Sequence, residues 1–112
     1  MGMDAKVAIW AGVRFGDTGI GWGEFKEHLP EDLFEPDGCT ILRPGAEDLQ
    51  TFECSDSVVG FGIPVFEHDW DYGVVEFDTH DINARANHAL SVFDTLMIQW
   101  GVIAALSPEI GV

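Results

Sequence analysis

The sequence predicts an α+β fold: a small antiparallel sheet of four to five strands packed against a long C-terminal helix and a short N-terminal helix. Three observations carry that expectation. Val7–Phe15 and Val58–Phe66 alternate residue by residue between apolar and small or polar side chains, as half-buried strands do. Ile82, Ala86, Ala89, Leu90, Phe93, Met97 and Trp100 recur at three- and four-residue spacing, which lines one face of a helix. The elements follow the order β–α–β–β–β–β–α, in which neighbouring strands pair antiparallel and helices collect on one face.

Each element has a local reason. In the first strand Val7, Ile9, Ala11, Val13 and Phe15 point one way, and Ala8, Trp10, Gly12 and Arg14 the other. Gly16-Asp17-Thr18-Gly19 breaks it. Trp22 to His28 suits a short helix that must stop before Pro30, with Leu33 and Phe34 as a further apolar anchor. Pro36-Asp37-Gly38 is a turn, and Cys39–Leu42 a short strand closed by Pro44-Gly45. From Ala46 to Phe52 helix propensity competes with strand pairing, and Leu49–Cys54 is read as a strand. Val59, Phe61, Ile63 and Val65 form the apolar face of the next strand. Gly60 and Gly62 leave its other face bare, open to a close neighbour such as the Trp10 ring, and Pro64 marks an edge or a bulge. His68–Gly73 reads as an acidic, aromatic loop and Val74–Phe77 as a short strand. The last helix can be capped by Asp78 or Asp81, begins to end at Gly101 and closes at Ser107-Pro108.

The 112 residues fit one domain, 1–112. A hydrophobic content of 46%, with eight Phe and four Trp, supplies a core and argues against disorder. The charge is the unusual feature. Five Lys and Arg face 20 Asp and Glu, a formal net charge of −15. A polyanion repels the phosphates of nucleic acid and of anionic lipid, so neither direct nucleic-acid binding nor membrane association is expected. Two explanations stay open: a docking face for a basic partner, and a surface acidic for solubility or salt adaptation. No apolar run approaches the ~20 residues of a membrane span. The opening residues lack the basic and apolar regions of a secretory signal, so the cytoplasm is the expected compartment.

No motif for a cofactor is complete, and none is expected to bind. Gly16-Asp17-Thr18-Gly19-Ile20-Gly21 stands where a phosphate loop occurs, but Trp22 and Gly23 replace the Lys and Ser or Thr that hold phosphate and metal. Glu24 at the helix start would repel an anion there. Asp69-x-Asp71 begins like a calcium loop, yet the glutamate at its twelfth position is missing, so no metal site is assigned. His88, Ser91 and Asp94 share an outward helix face, a poor setting for a serine nucleophile. Cys39 and Cys54 are read as buried, reduced thiols acting as small apolar side chains.

Gly21-Trp22-Gly23-Glu24-Phe25, Leu29-Pro30-Glu31-Asp32-Leu33 and Val58-Val59-Gly60-Phe61-Gly62-Ile63 together resemble small uncharacterised α+β accessory proteins of phages and mobile elements. That resemblance implies a cytoplasmic accessory role and carries over no functional residue. From the residues themselves, the leading function is a binding protein whose acidic surface docks on a basic protein partner, in its extreme form mimicking nucleic acid. Its expected contact residues are Glu67, Asp69, Trp70 and Asp71, where carboxylates surround an aromatic anchor that could equally fold back onto the core. The alternative is a small-ligand or metal-assisted enzyme using His68, Asp71 and His80. Homodimerisation is an open option.

Overall fold

A computed structural model describes residues 5–41, 46–70 and 78–112, with the side chains of 5, 6, 69 and 70 left aside. Its elements are β1 (Ala5–Arg14), α1 (Trp22–Glu27), β2 (Gln50–Cys54), β3 (Ser57–Trp70), α2 (Thr79–Gln99), α3 (Val102–Leu106) and β4 (Ile110–Gly111). The sheet runs β2-β3-β1-β4, and every pair in it is antiparallel. This is the α+β architecture expected from the alternation of β1 and β3 and the periodicity of α2.

β2 and β3 form a hairpin closed by Ser55 and Asp56, both at positive φ (49° and 66°). Two such residues in succession match the right-handed twist of the flanking strands. Two irregularities then shape β3. Phe52 pairs with Gly60 but Glu53 with Val58, so Val59 is an extra residue; it was expected inward and is instead 39% exposed. Ile9 pairs with Phe66 but Trp10 with Pro64, so Val65 is extra in the same way. Pro64 is tolerated because the β2 ladder has already ended at Gly62, leaving only β1 beside it among the described residues.

The apolar face of the sheet carries the core. Ala11, Val13 and Phe15 of the β1 segment lie beside Phe61, Ile63 and Val65 of β3, all buried. Ile82, Ala86, Ala89, Phe93 and Met97 of α2 cover them. Phe61 sits at the centre, its ring 5.7 Å from Phe25, 5.8 Å from Trp22 and 5.9 Å from Phe93. Trp100, expected in the core, is half-buried, because it forms the C-cap of α2 rather than a further turn. At the other end the Asp78 carboxylate accepts the amides of His80 (2.9 Å) and Asp81 (3.4 Å), a cap that contributes about 1 kcal/mol. Gly101, at φ +74°, separates α2 from α3.

On the opposite face Trp10 stacks on Phe52, with ring centroids 4.3 Å apart and planes within 13°. The indole lies over Gly60, where a Cβ would meet its ring at 2.0 Å. Gly62 is different: it opposes Gly12, and a Cβ on either would run into the other strand's backbone at 2.2 Å. The expected cover of Gly60 by Trp10 is therefore present, while Gly62 is required by close strand approach.

Three expectations need correction or fall outside the described residues. His68 to Trp70 are strand, not loop, because β1 begins at Ala5 and continues the ladder as far as Trp70. Of the Cys39–Leu42 strand only a bridge between Phe34 and Ile41 is present, and Leu42 lies outside the described residues, as does all of Val74–Phe77. β4 was not anticipated.

Candidate functional site

The acidic segment singled out in the sequence is the far end of β3. Glu67 is exposed and pairs with Ala8; Asp69 pairs with Lys6 and Trp70 with Ala5 through the backbone ladder. Asp71 lies outside the described residues. These positions are thus fixed by hydrogen bonding to β1 up to Trp70, where a loop had been expected. His68 is exposed and its ring lies 6.2 Å from that of Phe66. His80 is exposed in the first turn of α2, with its amide used by the Asp78 cap. Among the described residues no three His, Cys, Asp or Glu side chains are grouped to hold a metal ion.

Both cysteines are free, as a reduced pair would be, but neither is buried as expected: Cys39 is half-buried and Cys54 is exposed. Partial burial pushes the Cys39 thiol above its ordinary pKa, and a hydrogen bond to the Glu53 carboxylate, with that group's charge, pushes it further. A reactive cysteine needs the reverse, a thiolate favoured by positive surroundings. Beside it, Asp37 accepts the Thr40 hydroxyl and the amides of Thr40 and Cys39, which hold its carboxyl below the usual range, the hydroxyl most strongly. This is an Asx turn that orders the chain after Gly38.

Electrostatically the surface is one-sided. Every carboxylate whose side chain is described is exposed, except half-buried Asp94, and no charged residue is buried among the described ones. The described cations are already engaged: Arg14 with Asp17 at 2.7 Å, Arg85 with Asp81 at 3.1 Å, and Lys26 over the Phe34 ring at 5.4 Å. Such exposed pairs contribute little stability, about 0–1 kcal/mol each.

Sequence reasoning missed a cleft of about 340 Å³ beside β4. Trp10 and Arg14 of β1 wall it on one side, Glu109 and Val112 on the other, and the paired glycines Gly12 and Gly111 lie between them without side chains. The signal available in the sequence was Trp10 standing among the small and polar positions of β1; β4 itself is too short to leave a periodic trace. No helix among the described residues is long and apolar enough to cross a membrane. Comparison with protein-family models, curated proteins and solved structures finds no match to this chain.

Proposed function

We propose that this protein is a binding protein whose acidic surface docks on a basic protein partner in the cytoplasm, an accessory role of the kind found in phages and mobile elements. One observation carries the reading: the described carboxylates, Asp94 apart, are exposed while the described cations are already committed to neighbours. With 20 acidic and five basic side chains, internal pairing leaves a net −15 for an external counter-charge to meet. The complementary surface is one rich in Lys and Arg, such as that of a nucleic-acid-binding protein, which the polyanion would block by standing in for phosphate.

Glu67, Asp69, Trp70 and Asp71 are the contact residues of this proposal. Because Glu67 to Trp70 are strand, less backbone entropy is lost there on docking than a free loop would lose. The test is capture of partners by the immobilised protein at low salt and near 0.15 M, where the Debye length falls to about 8 Å. Neutralising Asp69 and Asp71 should slow association with the captured protein and flatten its salt dependence, whereas Trp70→Ala should speed dissociation. Unchanged rates in the triple variant would move the contact elsewhere on the surface. Failure to retain any basic protein at low salt would end the proposal.

A further inference from the structure

Resting on that reading, we propose that the edge of β1 and the cleft beside β4 seat an extended basic segment of the partner, its lysine or arginine side chain laid against Trp10 and answered by Glu109. Strand geometry comes first. β4 covers β1 only at Gly12 and Val13, so among the described residues the β1 edge from Ala5 to Ala11 has no strand on that side. An exposed edge is a row of backbone donors and acceptors that an extended peptide can continue. A segment added in line with β4 passes directly into the cleft.

The cleft then selects the side chain. At about 340 Å³ it is near the small end of ligand-binding clefts, roughly 300–1,000 Å³, and suits one long side chain with its flanking backbone. Gly12 and Gly111 leave the floor between its walls without side chains. Trp10 leans over Gly60 onto Phe52, so the indole is held in place, and Trp10 lines the cleft. A cation against an indole is attracted by the ring quadrupole. The charges agree: Arg14 is already neutralised by Asp17, while Glu109 is exposed and has no partner among the described residues. A second copy of this chain fits poorly, since it would bring a net −15 against −15.

The probe is a labelled peptide of alternating arginine and valine, compared with a form N-methylated on alternate residues and with a glutamate-for-arginine form. Fluorescence anisotropy should show binding of the parent peptide alone. Trp10→Ala and Glu109→Lys should each weaken it roughly tenfold, about 1.4 kcal/mol. Glu35→Lys, the same charge change on an exposed residue outside the cleft, should leave affinity within about twofold, because an isolated surface charge is screened. Since Trp10→Ala also removes the stack on Phe52, the exposed Glu109 is the deciding position. Equal loss in Glu109→Lys and Glu35→Lys, or full binding of the N-methylated peptide, overturns the inference and leaves the basic-partner reading intact. So does a dimer in sedimentation that the peptide cannot dissociate, because the edge would then belong to a second copy. If neither this peptide nor polylysine binds at low salt, both readings fall.

Discussion

Gly12 and Gly60 lie on the same face of the sheet, yet they are glycine for different reasons. A Cβ at Gly12 would sit 2.2 Å from the Phe61 carbonyl oxygen and 2.5 Å from the Gly62 Cα, both backbone atoms of the paired strand. A Cβ at Gly60 would meet the far end of the Trp10 ring, a side chain rather than backbone, whose displacement would open its stack on Phe52. Gly23, in α1, has nothing within 4 Å. Gly12→Ala should therefore cost roughly 1–3 kcal/mol through overpacking and strand separation. Gly60→Ala should cost less and be accompanied by a change in tryptophan fluorescence as the stack on Phe52 opens. Gly23→Ala should be neutral or stabilise by up to about 1 kcal/mol, since alanine loses less backbone entropy in a helix. Urea midpoints of the three variants check this order. A Gly12→Ala protein as stable as the parent would mean that β1 and β3 do not approach as closely as described.

At the scale of elements, α2 is the clearest case of pattern becoming packing. The same spacing that marks Ile82, Ala86, Ala89, Phe93 and Met97 in the chain puts all of them against the sheet. Phe93 is fully buried, with its ring edge-on to Phe61 at 5.9 Å. Phe93→Ala should cost about 3–5 kcal/mol, a large share of the roughly 5–15 kcal/mol a domain of this size possesses. Asp94, one residue on and only half-buried, should lose no more than about 0.5 kcal/mol on change to alanine. Equal losses of melting temperature in the two variants would contradict the orientation of α2. β3 shows the limit of the same reasoning. Alternation was a sound guide from Phe61 to Val65, but the extra residue at Val59 turned an apolar side chain to solvent, and the ladder with β1 carried the strand on to Trp70.

For the molecule as a whole, charge is the dominant surface property. A net −15, with nearly all the described carboxylates exposed, makes the compact state repel itself. Added salt screens this repulsion over a Debye length that shortens from about 30 Å at 0.01 M to about 8 Å at 0.15 M. The exposed pairs Arg14–Asp17 and Arg85–Asp81 are screened too, but their contribution is small. The urea midpoint should accordingly rise with sodium chloride over that range. An unchanged or falling midpoint would show that the carboxylates are compensated by contacts within the chain, which would also remove the ground for a basic partner.

What depends on neighbours along the chain was legible in its residues. Its residues carried the strands β1 and β3, the helix α2 with a cap at Asp78 or Asp81, the turn at Asp37, and the excess of carboxylates that sets the functional proposal. Periodicity and capping are local properties, readable within a few residues. The rest depended on contacts between distant segments. Whether Glu67 to Trp70 is loop or strand turned on Ala5 to Ala8 lying opposite them, a pairing between distant segments. The cleft at Trp10 and Glu109 exists because Ile110 and Gly111 return to pair with Val13 and Gly12 from the other end of the sequence. A two-residue strand has no period to detect, and its place is set by the hydrogen bonds that a remote strand leaves to be satisfied.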